Sequence, residues 1–160
     1  MALRAASLAL VLALSGCAEQ TAPGGEGKPL TRPDPVILEL QSDEKEPIGL
    51  LSYGGEDQAG ELGTHCWATQ CVDFIGPPTP KTFTEVPGDA VIELTGDGEA
   101  ESISVGAPPS EEFGQLGDEK EIQVEDRRAR LDLEPGRYVL VVFARWNEGD
   151  AVLTFGLEAR

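Results

Sequence analysis

Arg137-Tyr-Val-Leu-Val-Val-Phe-Ala-Arg-Trp146 decides the fold: seven residues between two arginines, apolar on both faces, with β-branched and aromatic side chains at most positions. Such a run predicts a central strand covered on two sides. Residues 151–157 resume the apolar pattern after the short turn at residues 147–150, so the two runs should form a hairpin. Upstream the period is two. Val36, Leu38 and Leu40 alternate with Ile37 and Glu39; Ala90, Ile92 and Leu94 with Val91 and Glu93; Ile103 and Val105 with Ser102 and Ser104. Ile122 and Val124 flank Gln123, and Leu131 and Leu133 flank Asp132, with the same implication of a half-buried strand. Gly54-Gly55, Gly76-Pro77-Pro78, Pro87-Gly88, Gly96-Asp97-Gly98, Pro108-Pro109, Gly117-Asp118, Pro135-Gly136 and Gly149-Asp150 supply the turns. No stretch of ten residues keeps a helical pattern free of Gly or Pro, and the expectation is an antiparallel all-β domain.

The approach to the long strand sharpens this. Leu133, Pro135, Gly136 and Tyr138 resemble the Leu-x-Pro-Gly-x-Tyr corner of immunoglobulin-like and fibronectin type III sandwiches. The resemblance implies a single antiparallel immunoglobulin-like β-sandwich over residues 35–160, with the Tyr138 hydroxyl bonded back to the preceding connection. It implies nothing about function, because sandwiches host unrelated activities.

At the other end, Arg4 precedes a run over residues 5–14 that is apolar except for Ser7 and ends in Leu14-Ser15-Gly16-Cys17. About ten apolar residues are too few for the roughly 20 that span a bilayer, and a basic flank with a small-residue exit is the pattern of a cleaved export signal. Leu-Ser-Gly-Cys resembles the lipobox of bacterial lipoproteins. The resemblance implies that residues 1–16 are a signal peptide removed before Cys17, that Cys17 receives a diacylglyceryl group, and that the acyl chains hold the protein on the extracytoplasmic face of the cell membrane or the outer membrane. Ala18 is not the aspartate of an inner-membrane retention signal, which favours the outer membrane in a cell that has one. Residues 18–34 hold Gly, Pro, Thr and charge with almost nothing to bury, and with Cys17 form a flexible linker, residues 17–34, reaching roughly 20–25 Å.

The 160-residue chain carries 12 basic and 29 acidic residues, a formal net charge of −17. Such a surface repels anions, which argues against nucleic acid and anionic polymers as partners. Arg127, Arg128 and Arg130 stand among Glu125, Asp126 and Asp132, and read as a solvated turn whose charges cancel locally.

Once Cys17 is assigned to lipidation, Cys66 and Cys71 remain, five positions apart in an oxidising compartment. That favours a disulfide; a redox pair or part of a metal site are the alternatives, weakened by the intervening spacing and by His65 being the only histidine. Gly63-Thr64-His65-Cys66-Trp67 followed by Cys71-Val72-Asp73 resembles bacterial lipoproteins of unassigned function that carry a Gly-Thr-x-Cys-Trp element closed by Cys-x-Asp. An aromatic is usual in that group where His65 stands here, and no activity comes with the resemblance.

Trp67 then has two readings. Packed against the disulfide it is scaffold; displayed by the clamped loop together with Asp73 and Trp146 it is a recognition surface. Exposure separates the two. Catalysis is not expected, since nucleophilic chemistry needs a base beside a nucleophile and no such set is recognisable; nor is any cofactor. Asp97, Glu99 and Glu101, or Glu111, Glu112 and Asp118, could gather oxygens for calcium, but ordinary surface charge accounts for them and no metal site is assigned. The expected function is therefore binding of an envelope protein or peptide, with a small-molecule or calcium-binding domain as the alternative and a hydrolase behind it.

Overall fold

The computed structural model describes residues 33–43, 45–110 and 114–160. The expected signal peptide, the lipidation site Cys17 and nearly all of the tether lie outside the described residues, as do Glu111 and Glu112. Thirteen strands and no helix make up the described part: β1 (Val36–Ser42), β2 (Pro47–Tyr53), β3 (Glu56–Ala59), β4 (Glu61–Trp67), β5 (Gln70–Val72), β6 (Phe83–Val86), β7 (Val91–Gly96), β8 (Glu99–Ala107), β9 (Gly117–Ile122), β10 (Val124–Glu125), β11 (Arg128–Arg130), β12 (Gly136–Arg145) and β13 (Gly149–Ala159). They form two sheets. The first runs β10-β11-β7-β1-β2-β3 and the second β5-β4-β13-β12-β8-β9, with β6 pairing β13 beyond the end of β4.

The alternating residues do what their period predicts. Val36, Leu38 and Leu40 of β1, Ile92 of β7, Leu140 and Val142 of β12, and Leu153, Phe155 and Leu157 of β13 are all fully buried or within a percent of it, and together they fill the space between the sheets. Phe155 is closely packed. A methyl group placed on Gly49 or Gly60 would lie 2.8 or 2.7 Å from its ring, so the ring occupies room that only two glycines leave open.

Strand direction departs from expectation. β1 pairs β7 in parallel and β6 pairs β13 in parallel, so neither sheet is purely antiparallel. Alternation reports which face of a strand is buried and is silent on direction; direction follows from connection length, and both parallel pairs join strands separated by several intervening elements. Leu131 and Leu133 lie outside a strand, although their N–H groups donate to the Ala90 and Gly88 carbonyls at 2.8 and 3.0 Å; the strand at this edge is the shorter β11 just before them.

The turn chemistry reads correctly in several places. Gly54 and Gly55 take φ of 62° and 86° between β2 and β3, the conformation of a two-residue hairpin that favours glycine. Tyr138 Oη donates to the Glu134 carbonyl at 3.0 Å, tying the head of β12 to the connection before it. The arginine cluster is more than a solvated turn: Arg127 donates from its guanidinium to the Leu94 and Gly96 carbonyls at 3.0 and 3.2 Å, and Arg128 pairs with Glu93.

Candidate interaction surface

The element 63–78 is built around a hairpin with two different faces. β4 and β5 pair so that Cys66 stands opposite Cys71, and the two are joined by a disulfide across the strands. Ala68 and Thr69 make the turn, with Ala68 at φ 52° and its N–H donated to the Glu148 carbonyl at 2.9 Å. Both cysteines point to solvent. Trp67, the next residue along β4, therefore points the other way.

That alternation corrects the recognition reading of the tryptophans. Trp67 is 5% exposed and Trp146 6%; their rings meet edge to face with centroids 5.5 Å apart and an interplanar angle of 78°. Together they close one end of the space between the sheets. Trp67 Nε1 donates to the Asp43 carbonyl at 3.2 Å. Gly98 leaves the room that Trp146 needs, since a methyl group there would stand 2.5 Å from the indole. Neither tryptophan reaches a surface on which a partner could bind, and Trp67 packs on Trp146 inside while the disulfide lies outside.

The loop over the pair is fastened by Asp97, which accepts from the Ser42 N–H at 2.9 Å and from the Ser42 hydroxyl. The hydroxyl bond is the main reason that the Asp97 carboxyl sits below the ordinary aspartate value of 3.8. Trp146 Nε1 is buried without a well-formed hydrogen bond and adds only the weakest of the pulls on that carboxylate. Asp97 is thus a structural fastener. Glu101, its neighbour in the suggested calcium cluster, pairs with Arg145 at 2.8 Å, and among the described residues no group of three or more His, Cys, Asp or Glu side chains converges as metal ligands. His65 Nδ1 lies 2.8 Å from the Gly63 carbonyl, a local contact with no nucleophile in it.

Asp73 has a different role. In β4 the pairing with β13 slips between Ala151 and Leu153, so Gly63 and Thr64 together oppose Val152, a bulge that aims Thr64 outward. Thr64 Oγ1 donates to the Asp73 carboxylate at 3.3 Å and accepts the Phe74 N–H at 3.0 Å. The bulge and the disulfide thus hold the chain at two points as it leaves β5. It then crosses the outer side of the second sheet, where Thr154 Oγ1 donates to the Pro78 carbonyl at 2.9 Å.

What this clamped segment displays is apolar. Val72 is 40% exposed, Phe74 37% and Ile75 100%. Beneath and beside it the outward residues of the long strands, Val141 and Phe143 of β12 and Val152 of β13, are only half-buried. The expectation that β12 is covered on both sides holds for the inner face alone. A groove of about 470 Å³ remains on the outer face, walled by Phe74, Pro77, Leu116, Val141 and Val152 with Thr64 and Gln115 among them, and Glu119 is its one charged lining residue among the described residues. None of these was singled out from the sequence as a contact residue. The signal for the segment was present as three apolar residues within residues 72–75, in a Gly- and Pro-rich stretch with no strand period to bury them.

A second cavity, about 600 Å³, lies along β9, β10 and β11 with Val91, Val105 and Ile122 in its lining; its charges are of both signs, and Lys120 and Arg128 are already paired with Asp132 and Glu93. It favours no ligand charge. No protein-family model matches the chain, and no curated protein or solved structure matches it either.

Proposed function

We propose that the chain is a lipid-anchored protein of the extracytoplasmic face whose immunoglobulin-like β-sandwich binds an envelope protein or peptide through residues 72–75. The anchor rests on Leu14-Ser15-Gly16-Cys17 and on the short apolar run before it; acylated Cys17 seats in the bilayer, and residues 18–34 hold the domain clear of it. Two packed sheets and the Tyr138 bond to Glu134 support the immunoglobulin-like reading. The binding role rests on one observation: Ile75 is completely exposed on a segment that a disulfide and the Thr64 hydrogen bonds hold in place. Rigid display of apolar side chains lowers the ordering cost of association, which is what a contact surface needs and a scaffold does not.

The reading is tested in the native envelope. A photo-crosslinking residue at position 75 is expected to capture a discrete envelope protein that the same residue at position 57, on β3 of the other sheet, does not capture. Equal labelling at both positions, or none at position 75, would overturn the binding role. Separately, Cys17→Ser is expected to move the protein from the membrane fraction to the soluble fraction, and retention in the membrane would contradict the anchor.

A further inference from the structure

Resting on the binding role just proposed, we infer that the groove on the outer face of β12 and β13 takes an extended segment of a protein partner in which apolar side chains alternate with lysine or arginine. Three observations define the occupant. Phe74, Pro77, Leu116, Val141 and Val152 make up most of the lining, with Thr64 and Gln115 as its uncharged polar members, and the exposed Ile75 lies beside it, so the bound segment must bring apolar side chains of its own.

The charge follows from Glu119. Among the described residues it is the only ionisable side chain in the lining, and its carboxylate accepts a hydrogen bond from Ser104 Oγ at 2.6 Å, which leaves further acceptor positions for an ammonium or guanidinium group. Among the described residues no basic side chain lines the groove, and the chain as a whole is at −17, so an acidic segment would be repelled both locally and at a distance.

The form of the occupant follows from the walls. Among the described residues they are the outward residues of long strands on one side and the crossing segment at Gly76 and Pro77, with Gln115 and Leu116, on the other. An extended peptide fits between them, placing alternate side chains toward the sheet.

Fluorescence polarisation with labelled synthetic peptides tests this on the full chain carrying Cys17→Ser, which removes acyl chains that would themselves attract an amphipathic peptide. An alternating leucine–lysine peptide is expected to bind at least about tenfold more tightly than alternating leucine–glutamate or serine–lysine peptides. Glu119→Lys should weaken the leucine–lysine peptide by about fivefold or more, while Glu56→Lys, the same charge change on β3, should leave it within about twofold. Equal loss from both variants means general attraction to an acidic surface and overturns the groove; so does binding of the three peptides alike. Crosslinking at position 75 keeps the two readings apart: capture of an envelope protein without peptide selectivity overturns the groove and leaves the binding role standing.

Discussion

Trp67 and Ile75 are eight positions apart and belong to one element, yet one is 5% exposed and the other 100%. The difference lies in what each is fastened to. Trp67 sits in β4, whose pairing with β13 fixes its face, and it meets Trp146 from the strand connection on that same side of the sheet. Ile75 follows β5, beyond the last paired residue, and is held through its neighbours, among them the disulfide and the Thr64 bond to Phe74. Large apolar residues near a disulfide thus divide into core and display by ladder position, and size and chemistry alone do not sort them.

The sharpest way to break this comparison is to truncate both members. Trp67→Ala removes a buried indole and should cost about 3–5 kcal/mol of unfolding free energy, whereas Ile75→Asp should stay within about 0.5 kcal/mol because nothing packs over it. Urea unfolding followed by far-UV circular dichroism measures both. A large loss from Ile75→Asp would mean that the segment is structural, and the contrast would collapse.

Next in size is the clamp itself. The disulfide closes a loop with a sequence separation of 5. Replacing both cysteines with serine should lower stability by about 2 kcal/mol on the loop-entropy model. The same variant should loosen residues 72–75 much more than the Trp67–Trp146 end, which amide exchange resolves residue by residue. Uniform acceleration would show that the clamp holds the whole domain and not the displayed segment.

A smaller, opposite effect is expected at the turn. Ala68 holds φ at 52°, a conformation that costs a residue with a β-carbon roughly 1 kcal/mol, and its N–H bond to Glu148 survives substitution by glycine. Ala68→Gly should therefore raise the unfolding midpoint slightly while leaving position 75 unchanged in crosslinking.

The smallest effect is pH-dependent and belongs to the tryptophan end. The Ser42 hydroxyl holds Asp97 below its ordinary value of 3.8, so the stability that this carboxylate contributes is present above that pH and is lost as pH falls through the lower, folded value. Ser42→Ala removes the main cause. The stability gap between the unaltered chain and Ser42→Ala should be constant near neutrality and close below about pH 3.8, in denaturant titrations at a series of pH values. A gap that persists in acid would trace the effect to packing over the tryptophans.

Legibility in the sequence follows the same division. Wherever alternation is the signal, as in Val36, Leu38 and Leu40 or in Ile103 and Val105, the buried face is readable, because the core imposes a period of two on any strand that crosses it. The turn at Gly54-Gly55 was readable from its glycines, and the bond from Tyr138 back to the preceding connection came from the resemblance of Leu133, Pro135, Gly136 and Tyr138 to a sandwich corner. Partnership was not: nothing in residues 36–40 says that β7 will lie beside them in parallel, since that pairing is decided by elements nearly sixty residues on. β3, β5 and β6 are three or four residues long and carry too few apolar positions to show any period. The tryptophans were ambiguous because a disulfide neighbour suits either face, and only the register of β4 against β13 and β5 settles which one faces in.

β13 draws together strands from far apart in the chain. It pairs β12 along its whole length, β4 over its first part and β6 over its last, and it carries Leu153, Phe155 and Leu157 into the core. A nascent chain that has emerged only as far as residue 148 therefore holds three unsatisfied strand edges and an unfilled interior. Closure of the second sheet waits on the eleven-residue β13, which makes that strand the step at which protease sensitivity during synthesis should abruptly end.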